Sequence, residues 1–204
     1  MKRRIVWKSG CFVVLKVRDG LYTVARMVGS AVLCVYDIFR EEDFWGGIAW
    51  AEVKPLFYVF VGSVVQKKMV VRKIEVEGVQ EKFLVPQRYW IDPYTSLDKG
   101  HFKGGRETFS LYGGRLIDVG DCERVETYGA PVVKHDLSVC EDRDIIESHE
   151  LTNMWGDEDL SDRLSRYYDT GINRDDLKFE IFPGLWEDRE KLRPLTRRLP
   201  VPLR

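Results

Sequence analysis

Cys11-Phe12-Val13-Val14-Leu15-Lys16-Val17-Arg18-Asp19-Gly20-Leu21-Tyr22-Thr23-Val24-Ala25-Arg26-Met27-Val28 is two β-branched runs closed around an Asp-Gly pair. Val, Thr, Tyr and Phe fit a pleated surface, and Asp-Gly suits the positive φ of a two-residue hairpin turn, so 11–17 and 21–28 read as paired antiparallel strands. Gly29-Ser30 separates the second run from a third, Ala31 to Ile38, which extends the hairpin into a meander. A one-sided antiparallel sheet alternates apolar with polar residues, whereas these strands are apolar on both faces. Either both faces are covered, or the sheet curls like a small SH3-type barrel.

Outward from this meander, residues 39–55 lack a clean period and hold Gly46-Gly47 and Pro55, which suits a loop with a short helix. Strand character returns over 56–65, turns at Gln66-Lys67-Lys68 and resumes over 69–76, predicting a second hairpin. Shorter strands are predicted at 82–85, 88–91, 108–111 and 115–119, the last two joined by Tyr112-Gly113-Gly114. The best helix covers about 157–169: Leu160, Leu164, Tyr167 and Tyr168 recur at helical spacing, Asp157-Glu158-Asp159 occupy its first turn, and Gly171 can end it. The fold class is therefore α+β, predominantly antiparallel, with one or two C-terminal helices. Residues 1–180 read as a single domain, and 181–204, with four prolines and several arginines, as an extended tail.

With 204 residues, 44% hydrophobic and 12% aromatic, the chain can bury a core and is not expected to be disordered. No stretch approaches the roughly 20 apolar residues of a membrane span. Met1-Lys2-Arg3-Arg4 has the basic flank of a secretion signal, but Lys8, Lys16 and Arg18 interrupt the apolar core that should follow. Cys11, Cys34, Cys122 and Cys140 are widely spaced and read as reduced thiols, so the expected compartment is the cytoplasm. The net charge of −1 conceals an asymmetry. Residues 118–180 hold eighteen acidic against seven basic side chains, a formal charge of −11, while 1–117 carry +7 and 181–204 carry +3.

Catalytic chemistry finds few candidates. The three histidines, His101, His135 and His149, lie in no nucleophile-elbow motif, and the cluster from His135 through Cys140 to His149-Glu150 lacks zinc-site spacing. Gly104-Gly105 and Gly113-Gly114 read as turns and not phosphate loops. Neither an enzyme, a metal nor a cofactor is expected. The acidic block reads either as a solvated face or as a docking surface that steers a basic partner and anchors it through nearby rings. Its candidate residues are Asp157, Glu158, Asp159, Asp162 and Asp169 for charge, with Trp155 and Tyr168 as anchors that could equally belong to the core. The alternative is a nucleic-acid-binding small barrel using Lys67, Lys68, Arg72 and Lys73, with Trp7, Tyr89 and Trp90 available for stacking; the −11 block argues against it.

Two stretches carry a family resemblance. Gly10 through Leu15 with Asp19 through Val28 reads as a glycine-led strand, a turn, and a strand bearing a Tyr and an Arg; Trp155-Gly156-Asp157-Glu158-Asp159-Leu160-Ser161-Asp162-Arg163-Leu164 reads as a Trp followed by an acidic helix with an Arg-Leu pair. Together with Tyr89-Trp90-Ile91-Asp92-Pro93, an aromatic strand ending in Asp-Pro, they resemble the immunity protein 26 family of bacterial polymorphic-toxin systems. The resemblance spans roughly 8–175; residues 129–152 look like an insertion, and 181–204 have no counterpart. It implies a non-enzymatic protein that neutralises a cognate toxin by stoichiometric binding. A nuclease toxin, cationic where it meets nucleic acid, would suit an acidic inhibitor.

Overall fold

The hairpin read from residues 11–28 pairs β1 (Phe12–Arg18) with β2 (Leu21–Val28), and Gly20 takes φ 68° at the turn. β3 (Val32–Arg40) completes the meander and β4 (Pro55–Val61) lies against β3. A 3-10 turn at Trp50–Glu52 supplies the short helix expected between them. The computed structural model describes residues 5–29, 31–95, 111–120 and 125–186. His101, Gly104-Gly105, Cys122, the basic residues of the extreme N-terminus and positions 187–204 lie outside that set.

The second expected hairpin does not form. Val64 and Val65 read as strand residues, yet 63–68 make helix α1 (Ser63–Lys68), and β5 (Val70–Ile74) pairs with β1 and not with β4. Val65 and Met69, four residues apart, are both buried in the core that also holds β1 and β4, so the helical period wins over β-branching. The sheet order is β5-β1-β2-β3-β4-β9, with β9 (Met154–Trp155) parallel to β4. No pairing among the described residues closes this order into a barrel.

Both faces are covered instead, which accounts for the two-sided apolar pattern. Val13, Leu15, Ala25, Met27, Leu33, Val35, Phe57 and Val59 face α1 and helix α3 (Asp157–Thr170), which contributes Leu160 and Leu164. Alternate residues Val24, Val28, Val32, Cys34, Tyr36, Tyr58 and Phe60 face a second core that includes Trp90 and Ile117. Those two belong to a three-stranded sheet, β6 (Tyr89–Thr95), β7 (Leu111–Asp118) and β8 (Val132–Lys134), whose neighbouring positions Ile91 and Leu116 join a third core. That core adds residues from α2 (Val139–Ser148) and α4 (Leu177–Ile181). The period of two in each strand thus serves two cores at once.

Several local expectations are corrected. The strands predicted at 108–111 and 115–119 are not separate elements: β7 runs unbroken through Gly113-Gly114, and 108–110 lie outside the described residues. Gly114 is needed there because a Cβ would sit 3.1 Å from the Asp92 carbonyl oxygen across the ladder. The strand predicted at 82–85 is a 3-10 turn at Glu81–Phe83. Three side chains from adjacent strands donate to consecutive carbonyls of this stretch: Tyr36 to Phe83 at 3.3 Å, Arg26 to Leu84, and Tyr58 to Val85 at 2.7 Å. They satisfy carbonyls that a strand would have placed in a ladder.

Among the described residues three helices follow residue 130, against the one or two expected. α2 escaped notice because Asp142 occupies a buried position that an apolar residue would normally mark. Its carboxylate is held by the Lys134 ammonium and the Ser138 amide. The domain boundary placed after residue 180 falls inside α4, and Phe182 and Leu185 beyond it are buried in the third core. Among the described residues no helix is long and apolar enough to cross a membrane.

Candidate partner-docking site

Helix α3 begins at Gly156, carries three acidic residues in its first turn where the macrodipole favours them, and stops at Gly171 with φ 72°. Its inward face bears an arginine as well as leucines. Arg163, 3% exposed, donates to both carboxylate oxygens of Glu150 at 2.6 and 2.8 Å and to Asn173 Oδ1 at 2.9 Å. Its guanidinium lies 3.9 Å from the centre of the Phe57 ring and 5.2 Å from that of Trp155. Nearby, Lys178 donates to the Ile146 and Glu147 carbonyls at 2.5 and 3.3 Å, and burial pushes its pKa down. Arg166 donates to Asp176 at 2.8 Å. Charges in such a setting persist only when paired, so this network is a structural element of the interior.

Placed on this frame, the candidate residues separate. Trp155 is 4% exposed and packs in the first core, so it is unavailable as a surface anchor. Asp159 is buried at the start of the helix. Asp157 meets Lys68 at 2.9 Å, and Asp169 holds Arg18 with two contacts of 2.6 Å. Glu158 is exposed and Asp162 half-buried. Three charges of the −11 segment are answered by the basic first part of the chain: Arg18, Lys68 and Arg88 pair with Asp169, Asp157 and Asp118. The side-chain hydrogen bonds from these cations hold the three carboxyls below the usual aspartate range.

Tyr168 differs from the rest. It is 42% exposed and lines an open cleft of about 530 Å³ together with Phe39, Arg40, Glu41, Glu42, Phe44 and Gly46. Phe39 packs against both Tyr167 and Tyr168, with ring centres 5.9 and 5.6 Å apart. Phe44, 70% exposed, forms part of the wall. The loop that carries it is pinned by Asp43, whose carboxylate accepts from Trp45 Nε1 at 2.8 Å and from Arg72 of β5 at 2.9 Å. Tyr168 Oη lies 3.5 Å from Glu41, and the Arg18 guanidinium sits 5.8 Å from the Tyr168 ring centre. Sequence reasoning found Tyr168 and Asp169 but missed the loop side of the cleft. The available signal was Phe44-Trp45 in a polar, glycine-containing stretch.

The family described as a domain of unknown function (DUF8309) matches residues 2–187. The chain belongs to this family. In this DUF8309 domain the match runs through α4 and past Leu185, which is buried in the third core. No curated protein and no solved structure matches it.

The residues of the nucleic-acid alternative are also placed. Lys68 and Arg72 are paired with Asp157 and Asp43, Trp90 is fully buried, and Trp7 donates to the Val28 carbonyl at 3.0 Å. Among the described residues of this DUF8309 domain no group of three or more His, Cys, Asp or Glu is arranged to hold a metal ion. Cys34, buried between Tyr36 and Tyr58 on the sheet, has its thiol pushed up to about 11 by desolvation, which makes it a poor nucleophile at neutral pH.

Proposed function

We propose that this protein is a stoichiometric inhibitor of the immunity type, which neutralises a basic toxin by docking it on the face formed by the end of α3 and the 39–46 loop. The observation that carries the reading is the cleft, where exposed Phe44 and Tyr168 stand beside the exposed carboxylates of Glu41 and Glu42. Aromatic rings held on a rigid scaffold are typical interface anchors, and carboxylates beside them favour a cationic partner. The docking surface lies at the C-terminal end of α3 because at its start Asp157 is paired with Lys68 and Asp159 is buried. The resemblance to immunity protein 26 supplies the biological setting and supports the same reading.

The decisive experiment starts from the neighbouring genes, where the proposal expects an open reading frame that ends in a toxin domain. Co-expression of the chain should protect cells from that toxin, and the two purified proteins should form a 1:1 complex that loosens as salt is raised. Absence of both protection and complex would sink the proposal.

A further inference from the structure

A guanidinium, an aromatic ring and a carboxylate occur together at two places along α3 and its surroundings. In the interior, the Arg163 guanidinium lies over Phe57 and Trp155 while gripping Glu150. At the surface, Arg18 lies over Tyr168 while gripping Asp169. The cleft offers the rings of Phe39, Phe44 and Tyr168 and the carboxylates of Glu41 and Glu42, and among the described residues Glu41 and Glu42 form no ion pair. Ring and carboxylate are in place there, and the two carboxylates outnumber the one guanidinium of the lining, that of Arg40.

We propose that the cleft is the seat for an arginine side chain of the partner protein, stacked against Phe44 and Tyr168 with its N–H groups donating to Glu41 and Glu42. This rests on the reading of the chain as a binder of a basic protein. The negative faces of the rings attract a cation, and a charged donor to a carboxylate makes the stronger class of hydrogen bond. Arginine is favoured over lysine because the planar guanidinium stacks on a ring while its fork still reaches acceptors, whereas an ammonium is compact and strongly hydrated. An uncharged apolar group would strip water from two carboxylates without replacing it. Arg40, also in the lining, leaves it with a net charge of −1.

The wall is set in advance. A Cβ at Gly46 would lie 2.7 Å from the Phe44 ring, so the ring rests directly on the glycine backbone. The Gly46→Ala substitution therefore displaces the ring without removing it and gives a second way to damage the seat.

The test is an NMR titration of the full chain with three capped tripeptides, Gly-Arg-Gly, Gly-Lys-Gly and Gly-citrulline-Gly, following the amide signals of Glu42, Gly46 and Asp169. The arginine peptide should shift these signals saturably, with the lysine peptide weaker and the citrulline peptide inert. Phe44→Ala and Gly46→Ala should each weaken the arginine peptide by at least about fivefold. Glu41→Gln with Glu42→Gln should abolish the salt dependence, and Arg40→Ala should tighten binding by relieving like charge. Equal response to the citrulline peptide, equal response to the lysine peptide, or full binding by Phe44→Ala overturns the proposal. Protection from the toxin that survives Phe44→Ala, with no peptide binding, would defeat the cleft and leave the inhibitor reading standing. Peptide binding without any protection by the wild-type chain would do the reverse.

Discussion

The middle and the end of α3 use an arginine, a carboxylate and aromatic rings in opposite ways. Around Arg163 the three are closed in the interior, the side chain 3% exposed and each guanidinium nitrogen donating to a partner within the chain. Around Tyr168 they open onto solvent, with one arginine already paired and two exposed acidic residues, Glu41 and Glu42, lining the cleft. Burial separates the two. A desolvated charge has to be matched locally or it unfolds the region, whereas an exposed one is hydrated, mobile and available to an incoming group.

The sharpest way to break this comparison is Arg163→Met. It leaves Glu150 buried and uncompensated, and should lower unfolding free energy by about 3–5 kcal/mol in urea titration. Adding Glu150→Gln should recover much of the loss. A cost below about 1 kcal/mol would show that the network is no more structural than a surface pair.

Lys178→Met should cost about 1–3 kcal/mol, because the Ile146 and Glu147 carbonyls lose their donor. Desolvation lowers the folded-state pKa of Lys178 below 10.5. Between that folded value and 10.5 the unfolded chain holds a proton that the folded chain does not, so wild-type stability rises with pH across this window. The Met variant should lack that rise, which denaturation at several alkaline pH values would check.

Asp169→Asn breaks the exposed Arg18 pair and should cost only about 0.2–1 kcal/mol at pH 7, less in high salt. The Arg18 hydrogen bond depresses the Asp169 pKa below 3.8, so the pair's contribution is present above that value and drains as pH falls through the folded-state pKa. Wild type and variant should converge in strong acid. Smallest of all, Phe44→Ala should change thermal stability by no more than about 0.5 kcal/mol, because its ring is largely in solvent. A large loss there would make the ring a packing residue and remove the contrast with Trp155.

The resemblance motifs take on a different meaning once placed. Trp155, Arg163 and Leu164 are core residues, and Arg26 fastens a neighbouring loop through the Leu84 carbonyl. They explain how the domain holds together more directly than how it meets a partner. The cleft was only half legible for the opposite reason. Tyr168 sits on a periodic helix, but Phe39, Glu41, Glu42 and Phe44 come from a stretch with no period, so only the return of that loop to the end of α3 brings them together.

Local chemistry was enough to determine the hairpin, the meander and α3. Asp19-Gly20 makes its turn within a few residues, the strand runs carry their own alternation, and α3 has acidic residues at its start and Gly171 at its end. Two-sided apolarity also announced that both sheet faces could be covered. Tertiary structure decided everything that depends on distant partners: β5 beside β1, Trp155 inside, and Asp169, Asp157 and Asp118 of the acidic segment paired with Arg18, Lys68 and Arg88 from the basic first part of the chain. A charge count along the chain is blind to such pairing because Coulomb attraction depends on separation in space, and residues 18 and 169 become neighbours only when the chain folds.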